Sequence, residues 1–455
     1  MAIQSINPTS GEVIATYEEH SDAEVEGILE ASSRAFSDWR RTPIEKRGEL
    51  LSRAADVLEA RKEELAILMA EEMGKPIAGG RAEVEKCAWV CRYYAEHGAA
   101  FLADEHIEAG RTKSFVHYEP LGPVLAVMPW NFPFWQVFRF AAPALMAGNT
   151  GLLKHSANVT GCAMAIEDIF ASAGFPEGCF KTLIISSSRV AGVIEQPAVV
   201  AVTVTGSDAA GRAVASKAGS VLKKSVLELG GSDPSIILED ADLDLAADSC
   251  STGRLINSGQ SCIAAKRFIV HEAVYDEWLE RFTTAMAAAK VGDPLDPSVT
   301  VGPMARIDLR DELHDQVRRS VDGGAELHLG GVVPEGEGAF YPPTILTEVS
   351  PRTPAYREEL FGPVAAVIKV SSEEEAIQVA NDTDFGLGAA IYTQDLERGE
   401  RLAAEFIEAG AVFVNAIVAS DPRLPFGGIK TSGYGRELSE MGIKEFVNAK
   451  TVVVA

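Results

Sequence analysis

The stretch "VAVTVTGSDAAG", residues 200–211, is the clearest indication of the fold in this sequence. Its pattern predicts a buried strand from Val199 to Val204, a turn at Gly206, and a helix that starts near Ser207. A helix N-terminus directly after a glycine offers free N–H groups and a positive dipole to a pyrophosphate. The glycine spacing differs from the G-x-G-x-x-G dinucleotide fingerprint, so a plain strand-to-helix turn stays open as the alternative.

Strand-like and helix-like stretches alternate on both sides of this turn. Between about residues 120 and 229, apolar runs such as "PVLAVMP" and "KKSVLEL" alternate with helical stretches, and a second such series follows "GGSDPSIIL". This alternation is typical of parallel sheets with helices on their faces. The predicted fold class is therefore α/β, and because 455 residues are too many for one core, we expect a parallel-sheet domain and a second α/β domain.

The two ends of the chain differ from these series. The first hundred residues are predicted to form helices, since "SDAE" from Ser21 and "TPIE" from Thr42 both fit a capping box, the second with Pro43 at the first helical position. The final "KEFVNAKTVVVA" is an isolated β-branched run remote from both series. We expect it to form a strand that pairs with another subunit, because an open sheet edge is costly.

Charge and composition exclude several classes of function. The 66 acidic residues outnumber the 41 Lys and Arg, and a net charge of −25 opposes nucleic acid and anionic membrane surfaces. No apolar run reaches the roughly 18 residues of a spanning helix, and the N-terminus lacks a leader pattern. Six cysteines are too few for a disulfide framework and have no metal-ligand spacing. We therefore expect a cytoplasmic protein with reduced thiols and no metal site.

Cys262 is the first candidate for chemistry. It lies in "NSGQSCIAAKRF", residues 257–268, among small residues that leave room for a substrate, with Lys266 and Arg267 nearby as sources of positive potential. A thiolate nucleophile needs such potential to lower its pKa. A small buried hydrophobe fits the same stretch equally well, and both interpretations stay open.

Two charged residues at strand ends are further candidates. Glu228 lies inside the apolar strand of "VLELGGSDP", where burial raises the pKa of a carboxyl group, so it is either a general base or a carboxylate satisfied by backbone N–H groups. Lys154 ends the short strand of "LLKHSANVT", where its ammonium either holds a ribose or phosphate or is solvated surface.

Several short motifs then occur together in the order and spacing of the aldehyde dehydrogenase superfamily: "PWNFP" at 129–133, "LLKH" at 152–155, "TGS" at 205–207, "LELGG" at 227–231, "GQSC" at 259–262, "ELFGPV" at 359–364 and "PFGG" at 425–428. The chain resembles this superfamily over nearly its whole length. The resemblance implies three parts, which are a Rossmann-like parallel-sheet cofactor-binding domain (1–101 and 120–229), an α/β catalytic domain (230–430) and a small β oligomerisation element (102–119 and 431–455). It also implies a homodimer or a dimer of dimers.

The resemblance implies a role for each matching residue. Cys262 matches the nucleophile that forms a thiohemiacetal with the aldehyde, Asn131 the amide that stabilises the oxyanion, and Glu228 the base that activates water against the thioester. The positions that match or adjoin the family's dinucleotide contacts are Trp130, Lys154, Ser156, Ala157, Gly206, Ser207, Leu229, Glu359 and Phe361.

Cofactor choice depends on Ala157. Many NAD-preferring members carry a glutamate at this position, three residues after the lysine, and it holds the adenosine ribose. Without that carboxylate nothing there repels a 2′-phosphate, which Lys154 and Ser156 could bind. The sequence therefore favours NADP, with NAD as a second cofactor, although Ala157 could also merely loosen NAD binding.

The substrate prediction depends on Arg139, Ser420 and Phe426. Arg139 and Ser420 occupy positions where succinate-semialdehyde dehydrogenases resemble one another in binding the substrate's carboxylate, whereas the position of a second arginine in some of them is Ile256 here. The alternative for Arg139 is a salt bridge to an acidic neighbour.

The resemblance implies a short, NADP-type bacterial succinate-semialdehyde dehydrogenase. Alternatives are oxidation of glutarate semialdehyde or an uncharged aliphatic aldehyde, and a CoA-acylating aldehyde dehydrogenase, against which Glu228 argues.

Overall fold

Two mainly parallel sheets with helices packed against them form most of the chain, as seen in a computed structural model that describes residues 2–455. The predicted α/β fold class is confirmed. The strands are β1 Ala2–Ile6, β2 Val13–Glu18, β3 Glu105–His106, β4 Lys113–Pro120, β5 Pro123–Met128, β6 Thr150–His155, β7 Phe180–Thr182, β8 Ala201–Thr205, β9 Lys224–Glu228, β10 Pro234–Ile237, β11 Arg267–His271, β12 Glu326–Leu329, β13 Thr344–Thr347, β14 Val364–Val370, β15 Gly388–Tyr392, β16 Ala411–Val414, β17 Gly433–Tyr434 and β18 Val447–Val454.

Helices precede the first parallel sheet and connect the strands of both. They are α1 Asp22–Trp39, α2 Ile44–Ala60, α3 Lys62–Met73, α4 Ile77–Phe101, α5 Trp135–Ala147, α6 Thr160–Ser172, α7 Val190–Glu195, α8 Asp208–Ser220, α9 Leu243–Leu255, α10 Tyr275–Ala287, α11 Ile307–Asp322, α12 Pro354–Arg357, α13 Glu373–Asn381, α14 Leu396–Glu405 and α15 Ser439–Lys444. No helix within residues 2–455 has the length and apolar character that crossing a membrane requires.

The first sheet has the order β17-β9-β8-β5-β6-β7, and only β17 is antiparallel. Residues 200–211 form β8 and the start of α8 as predicted, with Gly206 in the turn. Ser207 caps α8, since its side chain accepts a hydrogen bond from the Ala210 N–H. Because β8, β5 and β6 are parallel, Gly206, the loop after β5 and Lys154 lie at the same edge of the sheet.

The second sheet has the order β12-β13-β14-β11-β10-β15-β16, and only β12 is antiparallel. Every residue of β10 and β15 is buried, as expected for central strands covered on both faces. The segment from the end of α9 to β11 carries Cys262, so this sheet fixes the far end of the loop that holds the candidate nucleophile.

The C-terminal strand pairs within its own chain. β18 runs antiparallel to β4 from Val447 opposite Pro120 to Val454 opposite Lys113, and β3 extends this small sheet. β18 is an edge strand of this sheet and only its β4 side is paired, so pairing of its other edge with another subunit stays a prediction. The three domain ranges stay a prediction. Within the 431–455 segment, β17 pairs with β9 of the first sheet.

The N-terminal helical prediction was wrong in two places. Residues 2–18 form the hairpin β1–β2, whose side chains are mostly exposed and so show no clear apolar pattern. Ser21 caps α1 with a capping box as predicted. Thr42 does not cap α2, because its hydroxyl donates to the Asp38 carbonyl (3.3 Å) at the end of α1, and α2 begins at Ile44 after an extended Pro43.

Candidate active site

The backbone before Cys262 is held in an unusual conformation. Asn257, Ser258 and Gly259 all have positive φ (53°, 56° and 75°), a region that costs free energy for side chains other than glycine. A Cβ on Gly259 would lie 2.3 Å from the Gly362 carbonyl carbon, so only glycine fits there. The "NSG" of the motif therefore serves to turn the chain sharply ahead of Cys262.

Hydrogen bonds hold this loop in place. Arg254 donates to the Gly259 carbonyl (2.6 Å), and the Gly302 N–H donates to Ser258 Oγ (2.9 Å). Gln260 Oε1 accepts from the Ala305 N–H (2.9 Å). Each of these polar groups is buried, where an unmade bond is expensive, so the loop has one favoured arrangement.

Asn131 is tied directly to the same loop. Asn257 Nδ2 donates to the Asn131 carbonyl (2.8 Å) and to the Gln260 carbonyl (3.0 Å), while Asn131 Nδ2 donates to the latter (3.2 Å). The structure therefore brings Asn131 and Cys262 together. Asn257 was missed as a functional residue, because its side chain acts on a segment far away in sequence.

Two cavities meet at Cys262. The first has a volume of about 290 Å³ and lies along the strand ends of the first sheet. Of the predicted residues it is lined by Cys262, Asn131, Trp130, Gly206, Ser207, Leu229, Glu359 and Phe361. The rings of Trp130 and Phe361 meet edge to face, with centroids 5.7 Å apart. We call this the strand-edge cavity.

Lys154, Ser156 and Ala157 are not among the residues lining either cavity, although they lie at the same sheet edge. The mostly buried Lys154 ammonium makes no hydrogen bond or ion pair within residues 2–455, and burial lowers its pKa. Ser156 Oγ donates to Asn158 Oδ1 (2.7 Å). An unpaired ammonium in such a place is suited to an anion.

The second cavity, of about 430 Å³, shares Cys262 with the first and is lined by Arg139, Ser420 and Phe426 among others. We call it the inner cavity. The Arg139 side chain is 2% exposed, forms an ion pair with Glu437, and lies over the Phe426 ring at 4.6 Å. The salt-bridge alternative for Arg139 is thus present in the structure, and Arg139 borders the cavity as well.

Two further cations line the inner cavity, and sequence reasoning missed both. Lys75 is fully buried and pairs with Glu83 at 2.7 Å. Lys86 donates to Ser420 Oγ (2.9 Å) and lies 4.6 Å from the ring centroid of Trp135. Within residues 2–455 no carboxylate lies within ion-pair distance of Lys86, so it is the cation of this cavity whose charge is not neutralised by contact.

Glu83 also fixes the helix that carries Arg139. Its Oε1 accepts from the N–H groups of Phe134 and Trp135 (both 2.9 Å) at the start of α5, and its Oε2 meets Lys75. A carboxylate at a helix N-terminus satisfies free N–H groups and complements the dipole. The Lys75–Glu83 pair thereby orients the wall of the inner cavity.

Glu228 is buried and lies outside the walls of both cavities. Its two carboxylate oxygens have no hydrogen-bond partner, and a Cβ placed on Gly427 would come within 2.8 Å of one of them. Burial, and then the negative charge of Glu437, raise the pKa of Glu228 well above its usual range, against the opposing charge of Arg139. The structure thus places this carboxyl beside Gly427 rather than against Cys262.

The thiol of Cys262 is mainly protonated at neutral pH. Burial raises its pKa to about 12, while Arg139 and Lys266 oppose the rise. Lys266 donates to the Cys262 carbonyl (2.8 Å) and meets Glu359 at 3.1 Å, so it joins the nucleophile loop to the strand-edge cavity. Arg267 donates to the carbonyls of Ser232, Val379 and Ala380, a structural role.

A profile of the aldehyde dehydrogenase family matches residues 1–452. The chain belongs to this family. Within residues 2–455, no group of three or more His, Cys, Asp or Glu side chains is placed to hold a metal ion.

Relatives in the family are similar over the full length. The chain is 52% identical to a probable NADP⁺ succinate-semialdehyde dehydrogenase of Synechocystis, with both chains covered completely. It is 49% identical to succinate-semialdehyde dehydrogenase [NADP⁺] 1 of Mycobacterium tuberculosis, again with complete coverage. The crystal structure of a succinic semialdehyde dehydrogenase from Streptococcus pyogenes with NADP⁺ is 39% identical, with a TM-score of 0.97 and 100% of both chains covered.

Proposed function

We propose that this chain oxidises succinate semialdehyde, or a similar short aldehyde with an ω-carboxylate, to the dicarboxylic acid with NADP. The observation that carries the proposal is the position of Cys262, which borders both the strand-edge cavity and the inner cavity with its unpaired cation. The Synechocystis and Mycobacterium relatives carry names for the same activity, which supports this substrate and cofactor.

The residues of the strand-edge cavity fit a dinucleotide. Trp130, Leu229 and Phe361 offer apolar surface for a flat ring, and the N-terminus of α8 after Gly206 offers N–H groups for phosphates. We assign the adenosine 2′-phosphate to the unpaired Lys154, next to Ser156 and Ala157, where no carboxylate repels it. NADP supplies a hydride acceptor when bound. NAD is the second cofactor of this proposal.

In this proposal Cys262 attacks the aldehyde carbon at the point where the two cavities meet. Its sulfur forms a bond to the carbon, the thiol proton passes to solvent water in the cavity, and the π electrons of the C=O bond move to the oxygen, which becomes an oxyanion. Asn131 Nδ2 donates to that oxyanion in place of its present acceptor, the Gln260 carbonyl. Removal of hydride from the carbon then leaves a thioester on Cys262, which water hydrolyses to the free acid and thiol.

Glu228 is the proposed base for that water. Its carboxylate must rotate from its place beside Gly427 toward Cys262, and the rotation breaks no hydrogen bond, since neither oxygen has a partner. The raised pKa means that this carboxyl group holds a proton more readily than an exposed glutamate, as a base that takes a proton from water requires.

We further propose the cytoplasm as its compartment and an assembly of two or four copies. All six cysteines are free thiols, which supports a reducing environment. The small sheet of β3, β4 and β18 is the proposed contact between copies, because it stands apart from both parallel sheets and exposes Val453 and Val454.

The test is an absorbance assay of reduced nicotinamide with succinate semialdehyde and each dinucleotide. We expect turnover with NADP, weaker turnover with NAD, and none for Cys262→Ala under either. Cys250→Ala, which removes a buried thiol outside both cavities, is the matched control and should keep turnover. No reduced dinucleotide from the intact protein would overturn the proposal. Formation of an acyl-CoA that requires added CoA would replace it with a CoA-acylating reaction.

A further inference from the structure

The charge balance of the inner cavity is uneven. Lys75 and Arg139 each contact a buried carboxylate, Glu83 and Glu437 respectively. Lys86 contacts only a hydroxyl and the face of an indole ring, both neutral. A half-buried ammonium with no counterion favours an incoming anion, because the anion recovers interaction that burial has removed.

The Ser420 hydroxyl is positioned to bind an anion together with Lys86. Its Oγ accepts hydrogen bonds from Lys86 Nζ (2.9 Å) and Trp135 Nε1 (3.2 Å), two groups that can only donate. Both lone pairs of the hydroxyl are therefore used, and its proton has no acceptor within the described chain. That proton is available to a carboxylate oxygen.

Lys86 and Ser420 also stand at one end of the inner cavity. Both line an adjoining outer depression together with Trp89, Asp421 and Leu424, whereas Cys262 does not. An aldehyde whose carbonyl lies at Cys262 therefore extends its other end toward Lys86 and Ser420. A short chain with a terminal carboxylate fits these two ends.

We propose that Lys86, with the Ser420 hydroxyl, binds the ω-carboxylate of the aldehyde at the outer end of the inner cavity. This inference rests on the proposed function and deepens it. It explains how the chain binds a dianionic product or an anionic aldehyde although position 256 is isoleucine and Arg139 is already paired with Glu437. The ion pair with Lys86 and the hydrogen bond from Ser420 fix which end of the substrate reaches Cys262.

The experiment compares succinate semialdehyde with butanal, an aldehyde of equal chain length without the carboxylate. For Lys86→Met we expect kcat/KM for succinate semialdehyde, relative to that for butanal, to fall roughly 10- to 100-fold. This loss corresponds to the contribution of one charge-assisted hydrogen bond. Lys86→Arg should recover most of the ratio. Lys62→Met is the matched control, because Lys62 pairs with Glu85 on the exterior and lines neither cavity.

A second variant and a second readout distinguish carboxylate binding by Lys86 from a merely structural role of this residue. Lys86→Gln retains a donor to Ser420 without the charge, and succinate should inhibit it roughly 10-fold less strongly than the intact enzyme. An unchanged ratio and unchanged succinate inhibition, or equal losses for both aldehydes, would overturn the role of Lys86. If the intact protein instead oxidises no succinate semialdehyde with NADP or NAD, it is the proposed function that fails.

Discussion

At the scale of single residues, the protonation of Cys262 governs when the site can react. Burial raises the pKa of its thiol to about 12. At any pH below that value, the thiolate fraction therefore increases about tenfold for each unit by which the pH is raised. We expect alkylation of Cys262 by iodoacetamide, followed by mass spectrometry, to accelerate by this factor between neutral and alkaline pH. A rate that levels off near pH 7 would contradict it.

Lys86 gives a second pH dependence of opposite sign. Burial, and then Arg139, lower the pKa of Lys86 to about 8, against the weaker opposing effects of Cys87, Asp421 and Glu83. Above that pH the ammonium loses its charge, so we expect KM for succinate semialdehyde to rise while KM for butanal stays flat. Steady-state assays of both aldehydes across the range check this, and the difference should disappear in Lys86→Met.

The sequence predicted the residues of the site that lie in contiguous motifs. Cys262, Asn131 and Trp130 are brought together as expected, because short motifs with fixed turns carry them. Lys86 and Glu437 could not be found this way. Each is a lone charge on a helix or loop, and only the packing of α4 and the C-terminal segment against α5 brings them to the cavity and to Arg139.

At the scale of elements, the turn before Cys262 depends on Gly259. Alanine there has to adopt a φ of 75° and clashes with the Gly362 carbonyl, so Gly259→Ala should displace the nucleophile and lower kcat/KM by about 100-fold. Gly27→Ala is the matched control, because Gly27 lies in α1 with open space around it. That variant should gain about 1 kcal/mol in free energy of unfolding from helix propensity. Equal activity of the two variants would contradict the role of the turn.

The contact between α5 and the C-terminal segment also depends on one ion pair. Arg139→Met alone leaves Glu437 without its partner, and Glu437→Gln does the reverse, so each should lower the free energy of unfolding by about 3–5 kcal/mol. The double variant should lose less than the sum of the two, as measured by urea denaturation. Simple additivity would show that the two groups do not interact.

Elements with a buried face were predicted well, and exposed ones were not. β8 and α8 follow directly from the apolar run and the capping serine of residues 200–211. The hairpin β1–β2 is held instead by distant partners, such as Ser5 donating to Glu72 (2.5 Å), which no local pattern reveals. Thr42 failed as a cap for a related reason, because the end of α1 competes for its hydroxyl.

At the scale of the whole molecule, the small sheet of β3, β4 and β18 is expected to hold copies together. A chain ending before Val447 loses all of β18 and leaves an edge of β4 open. We expect this chain to elute from size exclusion as a smaller species than the intact protein, with the helical circular dichroism retained. A chain lacking only Ala455 is the control, and equal sizes for all three would contradict the assignment.

The positions of the two cavities have a consequence for the order of events during turnover. Because the aldehyde and the dinucleotide would reach Cys262 through two separate cavities, neither blocks the passage of the other. The acid formed at Cys262 can diffuse away while the reduced dinucleotide is still held. Release of the two products is then branched, because either product can leave first.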